Sequence, residues 1–169
     1  LQLPLKPTRQ PVAWFEANEE LFNAKAFPTF MAEIPTTDSY ALYYGFPSFG
    51  NCGLKIGRHD YIDPINPDTM NREFGSNAND EGHLREFLDT FLPEASGKLI
   101  KGTICMYTRT PDGHFIIDKH PKYPNVTIAT GFSGHGFKFA SVVGEILSHL
   151  AVDGETNHDI SLFKLERFK

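Results

Sequence analysis

The chain has 169 residues, 14 of them glycine and 12 proline, with 40% hydrophobic and 13% aromatic residues. A chain of this length buries roughly two-thirds of its unfolded surface, so it supports a core, and its composition excludes a disordered tail. Sixteen basic against 21 acidic residues leave a net charge of −5 with the signs interspersed, which argues against nucleic acid as a partner, and no apolar run reaches the roughly 18 residues that a membrane helix needs.

In chain order, Lys6 to Glu16 (KPTRQPVAWFE) and Thr29 to Ile34 (TFMAEI) are rich in β-formers and read as strands. Tyr40 to Phe46 and Gly53 to His59 are two further extended runs, joined by a loop that Pro47, Gly50 and Gly53 punctuate, which predicts an antiparallel hairpin. Two X-Pro steps make Ile62 to Met70 an irregular connection. Leu84, Phe87, Leu88, Phe91 and Leu92 then recur at helical spacing, with Asn79 or Asp80 available as a cap and Pro93 as a stop, predicting an amphipathic helix of about three turns. After Gly97 the chain returns to strands, near Leu99 to Thr108, His114 to Asp118 and Asn125 to Thr130, with a Pro111-Asp112-Gly113 turn after the first. The segment GFSGHGFKF (Gly131 to Phe139) leads into a helix over Ala140 to Ala151 whose stripe is Val143, Ile146, Leu147, Leu150 and Ala151, with Gly154 just past its end.

The strand, glycine-rich turn and helix from Asn125 to Ala151 form the strongest local signal, because small residues let backbone N–H groups approach an electron-rich ligand at a helix N-terminus. The spacing GxxGxG is neither a dinucleotide fingerprint nor a phosphate loop, so a tight strand-to-helix connection explains it equally. Lys138 lies just inside that helix start, where the dipole is already positive; such a lysine is either solvated or committed to an anion. Lys55, Gly57 and His59 share one face of their strand, with Tyr44 on the hairpin partner and Leu54 and Ile56 on the other face, a pattern that suits a site lining or a solvent face. Cys52 and Cys105 are too few for a disulfide scaffold, and no basic-then-apolar leader precedes them, so a reducing, cytoplasmic compartment is the expectation. Taken alone, Cys105 between Ile104 and Met106 reads as a small buried residue. No metal-ligand spacing and no GxSxG elbow occurs.

Three motifs, YYGFPSFGNCGLKIGRH (Tyr43 to His59), TICMYTRTPDGHFIID (Thr103 to Asp118) and GFSGHGFKFASVVGEIL (Gly131 to Leu147), together resemble the sarcosine oxidase and N-methyltryptophan oxidase family of FAD-dependent amine oxidoreductases. The resemblance runs from about Lys6 to Arg167 and covers only the C-terminal portion of the family's chain. It implies an α+β fold: a largely antiparallel substrate-domain sheet with flanking helices, plus the strand-turn-helix segment returning to an FAD-binding domain. Residues 1–97 would be the substrate portion, 98–152 the flavin-contacting segment and 153–169 a tail, while the Rossmann part with its GxGxxG is absent.

By the same resemblance, Cys105 is the sulfur bonded to the flavin 8α position, and Lys55 is the lysine beside the flavin that promotes reaction with O₂. His59, Tyr44 and Tyr107 line the substrate and flavin pocket. Gly134, His135, Gly136 and Phe137 place backbone donors near the pyrimidine edge of the flavin, and Lys138 binds the substrate carboxylate. The implied partners are a small N-methyl amino acid, O₂ and the N-terminal half of the protein's own chain; the implied products are formaldehyde, the demethylated amino acid and hydrogen peroxide. N-methyltryptophan or pipecolate oxidation is an alternative, as is a silent fragment that binds no FAD by itself. Arg58 beside His59 and the longer loop Thr36 to Leu42 depart from the sarcosine pattern, whereas CMYT and NREFG (Asn71 to Gly75) favour it.

Overall fold

The computed structural model describes residues 1–36, 39–60 and 63–168. Thr37 and Asp38 of the loop before Tyr43, and Ile62 at the head of the proline-rich connection, lie outside the described residues. The elements are β1 (Lys6–Phe15), α1 (Glu19–Phe22), β2 (Phe30–Pro35), β3 (Tyr40–Phe46), β4 (Leu54–Arg58), α2 (Asn79–Phe91), β5 (Leu99–Arg109), β6 (Ile116–Lys119), β7 (Thr127–Thr130) and α3 (Ala140–Val152), with short 3₁₀ turns between. This is the α+β class that the sequence implies. The chain divides into two compact units, Arg9–Met106 on the one hand and Leu1–Thr8 with Tyr107–Lys169 on the other. None of the described helices is long and apolar enough to cross a membrane.

The unit Arg9–Met106 is built on a five-stranded sheet in the order β2-β3-β4-β1-β5. The β3–β4 hairpin is antiparallel, as expected, and pairs Tyr44 with Gly57 and Phe46 with Lys55. On its other side β4 runs antiparallel to β1, pairing Trp14 with Lys55 and Phe15 with Leu54. Strand alternation sends Ala13, Phe15, Leu54 and Ile56 into the core, where none has any exposed surface, against Leu84, Phe87 and Leu88 of α2. Each such large apolar side chain contributes about 1.5–3 kcal/mol on burial. The predicted helical stripe is borne out at these three positions, whereas Phe91 stands half-exposed at the end of α2.

The expected cap of α2 is corrected. The N-cap position is Ala78, and no side chain caps it. Asp80 turns inward instead, to a buried ion pair with Arg9 of β1. Its second oxygen accepts from the backbone N–H of Gly75 (2.8 Å) and Asn77 (3.3 Å), while Arg9 also donates to the carbonyls of Asn71 and Glu73. A buried guanidinium must be matched in charge and hydrogen bonds, and this demand overrides the local preference for a cap. Burial pushes the Asp80 carboxyl up, but the hydrogen bonds from Arg9, Gly75 and Asn77 and the guanidinium charge outweigh it and hold it below the usual range.

The other unit pairs β6 with β7 antiparallel, Ile117 opposite Ala129. Its core packs Phe115 and Ile117 against Val143, Ile146 and Leu150 of α3, with Ile160 from the tail. Ala151, the last member of the predicted stripe, is exposed, because one helical step carries it away from the face of Leu150. The strands expected from His114 and Asn125 begin two residues later.

Candidate functional site

In the unit Arg9–Met106 the open face of the sheet carries Lys55. Its Nζ lies 5.1 Å from the centroid of the Trp14 ring and 5.3 Å from that of Phe46, its two cross-strand partners. Trp14, Phe46, Pro47, Phe49 and Lys55 line a recess of about 350 Å³. Along β3 the Tyr44 ring meets Phe46 edge-on at 6.4 Å. Tyr44 can lie flat only because its partner is glycine: a Cβ on Gly57 would stand 2.6 Å from the Tyr44 hydroxyl. The predicted shared face of Lys55, Gly57 and Tyr44 is therefore present. His59 follows β4 directly, half-buried, and its N–H donates to the Leu42 carbonyl at 2.7 Å.

Arg58 takes the opposite direction. Its guanidinium lies over the Tyr43 ring, which stacks on Phe87, and it donates to Asp60 at 2.9 and 3.1 Å. Asp60 also accepts from the Leu42 N–H, and although burial pushes its carboxyl up, these bonds and the Arg58 charge bring it below its ordinary value. The Arg58 charge is thus committed to a local ion pair.

Cys105 on β5 is exposed while Ile104 beside it is buried, which overturns the reading of this thiol as a small core residue. Lys101, on the same strand, places its Nζ 5.3 Å from the Trp14 ring. Neither Trp14 nor Lys101 stands out in the sequence; only the β1–β4 register brings Trp14 opposite Lys55, and Lys101 lies near the Trp14 ring.

In the other unit the turn between β7 and α3 contains three residues with positive φ: Gly131, Ser133 and Gly134. Ser133 is buried. Its N–H donates to the Thr108 carbonyl (3.0 Å) and its hydroxyl accepts from the Thr110 N–H (3.3 Å), fixing the turn to the end of β5. Gly134, at φ +85°, presses on Tyr107: an added Cβ would stand 2.3 Å from that ring. His135 sets its Nδ1 3.2 Å from the Ser133 carbonyl and its ring 5.0 Å from Phe115. Beyond Gly136, a 3₁₀ turn (Phe137–Phe139) runs straight into α3, and no side chain caps either start. Phe137 is 95% exposed, and Lys138 is exposed with its Nζ over the Phe139 ring. Among the described residues no carboxylate pairs with Lys138 or Lys55.

The sheet face therefore offers an aromatic recess with an unneutralised cation, β5 offers an accessible thiol, and the start of α3 offers a glycine turn with an uncapped, electropositive end. The FAD dependent oxidoreductase family model matches residues 1–150; the chain belongs to this family. It is 58% identical over 168 residues to monomeric sarcosine oxidase of Arthrobacter sp. (strain TE1826), covering 99% of this chain and 42% of that protein. It is 41% identical over 167 residues to N-methyl-L-tryptophan oxidase of Citrobacter koseri, covering 99% and 44%. The chain thus spans less than half the length of the curated relatives it matches.

Among solved structures, L-proline dehydrogenase from P. horikoshii superposes with a TM-score of 0.75 at 22% identity, over 99% of this chain and 41% of that one. NikD, an unusual amino acid oxidase essential for nikkomycin biosynthesis, gives 0.72 at 20%, over 96% and 42%. These two carry the fold alone. In the unit Arg9–Met106 the Cys105 thiol is open to solvent, the accessibility that bonding to a flavin would need.

Proposed function

We propose that this chain is the C-terminal part of an FAD-dependent oxidase that demethylates a small, sarcosine-like N-methyl amino acid. When bound, FAD would supply a two-electron acceptor: a hydride (two electrons and one proton) would leave the N-methyl C–H bond and the second proton the amine N–H, water would hydrolyse the resulting imine to formaldehyde and the primary amino acid, and O₂ would take up the two electrons and two protons as hydrogen peroxide. The observation that carries this reading is the Lys55 ammonium, held between Trp14 and Phe46 and, among the described residues, paired with no carboxylate. A fixed cation whose charge is not cancelled stabilises the negative charge that develops as O₂ is reduced. The 58% identity to a monomeric sarcosine oxidase supports the substrate class.

The remaining residues follow from it. Tyr44 and His59, beside Lys55, would line the substrate side, with Tyr107 against Gly134 on the flavin side. Lys138 would hold the substrate carboxylate. The N–H groups of Gly134, Gly136 and Phe137, at the positive end of α3, would face the electron-rich edge of the ring, whereas that of His135 is already donated to the Phe132 carbonyl. Cys105 would be the point of covalent attachment. In this reading residues 1–97 supply the substrate side, 98–152 the flavin-contacting segment and 153–169 a tail, and the protein works in the cytoplasm.

The test uses the full-length oxidase carrying this sequence. Lys55→Met should slow reoxidation by O₂ by on the order of a hundredfold while leaving anaerobic reduction by substrate nearly intact; equal slowing of both half-reactions would count against the assigned role. Intact-mass analysis should show one FAD that disappears in Cys105→Ala. Oxygen uptake with sarcosine, N-methyltryptophan and pipecolate side by side identifies the substrate, and a preference for either of the latter two would replace the sarcosine reading.

A further inference from the structure

Four side chains form one row across the adjacent strands β3, β4, β1 and β5: Phe46, Lys55, Trp14 and Lys101. Ring and cation alternate along it, with the Trp14 ring 5.1 Å from the Lys55 Nζ and 5.3 Å from the Lys101 Nζ. We propose that Trp14 is a positioning residue of Lys55, holding its ammonium on the open face of the sheet between its own ring and that of Phe46, with no carboxylate among the described residues to cancel the charge; this rests on the reading of Lys55 given above. The physical reason lies in what the partner is not. A carboxylate would hold the ammonium more firmly but would cancel its field, whereas an aromatic face attracts a cation through its quadrupole and carries no net charge. A free lysine side chain, with four rotatable bonds, would spread its charge over many positions.

Trp14 itself is anchored. Its chain neighbours Ala13 and Phe15 are fully buried, so the backbone that presents the indole is fixed by the core. The register Trp14–Lys55 sets the two side chains directly opposite each other, at the separation where cross-strand pairs interact. Lys101, whose Nζ also lies over the Trp14 ring, adds a second positive charge beside it.

The experiment uses the full-length oxidase and compares Trp14→Leu, Trp14→Phe and Lys55→Met. Two quantities are read: the separate rates of anaerobic reduction by sarcosine and reoxidation by O₂, and the NMR signal of the Lys55 amine after reductive ¹³C-dimethylation, assigned by its loss in Lys55→Met. In the parent that signal should lie upfield of the other lysines because of ring current. Trp14→Leu should move it measurably downfield toward the bulk position, Phe46 keeping part of the shift, and slow reoxidation about five- to tenfold with reduction within about twofold, while Trp14→Phe, which keeps a ring, should retain most of both. Should Trp14→Leu fail to fold, Trp14→Met fills the space without a ring. An unshifted Lys55 signal in the parent, parental reoxidation in Trp14→Leu, or equal slowing of both half-reactions overturns the proposal. Slow reoxidation in Lys55→Met with parental kinetics in Trp14→Leu removes only the positioning role. Parental reoxidation in Lys55→Met removes the reading of Lys55 and the proposal with it.

Discussion

At Gly134 two requirements coincide: a positive φ and a ring at van der Waals distance. Gly134→Ala meets both a strained backbone and the Tyr107 ring, and should lose about 1–3 kcal/mol of stability, measured by urea unfolding. In a Tyr107→Ala background the same substitution should cost less, only its backbone part; a cost equal to that in the parent would show that the ring is not the obstacle. Asp112 shows a titration of known sign. The hydrogen bonds from Arg167, together with the His114 N–H and the guanidinium charge, outweigh a small desolvation and bring its carboxyl down to about 2. Because the folded-state value lies below the unfolded one, its stabilisation is complete above about pH 4 and is lost as pH falls toward 2. The unfolding midpoints of the parent and Asp112→Asn should therefore stay a constant distance apart near neutrality and converge below about pH 4; a gap that persists unchanged to pH 3 would exclude the pair as its source.

The elements divide into those that the local sequence dictates and those that need a distant partner. Helical periodicity placed Leu84, Phe87 and Leu88 on the buried side of α2, and period-two alternation placed Lys55 opposite Leu54 and Ile56, because both patterns repeat within a few residues. The cap of α2 was not legible: Asp80 answers to Arg9, 71 positions earlier, and no local pattern encodes that pair. The same holds for Trp14 beside Lys55, which depends on the β1–β4 register. The candidate site was legible in part for this reason; its own strand face was readable, whereas the roles of Cys105 and Lys138 came from family resemblance and not from spacing. Since the Arg9–Asp80 pair is buried, removing one partner leaves an uncompensated charge. Asp80→Ala should cost about 3–5 kcal/mol, read by thermal unfolding, while Glu81→Ala, which loses only a half-exposed pair with Arg85, should cost under about 1 kcal/mol.

For the whole molecule, the two units hold separate hydrophobic clusters, Phe15 to Phe87 in one and Phe115 to Ile160 in the other. A cavity in one cluster should therefore be felt first by its own unit. Ile146→Ala should lower local stability by about 2–5 kcal/mol and raise hydrogen exchange across 107–168 before 9–106; a uniform rise across both would mean that they open as one. The division also has a topological meaning. Leu1–Thr8 and Tyr107–Lys169 make up one unit, so Arg9–Met106 is in connectivity an insert, entered along β1 and left along β5. Those two strands are neighbours in the sheet. An insert whose ends leave side by side is the kind that a host chain tolerates, so the recess around Lys55 belongs to a graftable module: exchanging it for the matching stretch of a relative needs only two junctions, both on adjacent strands.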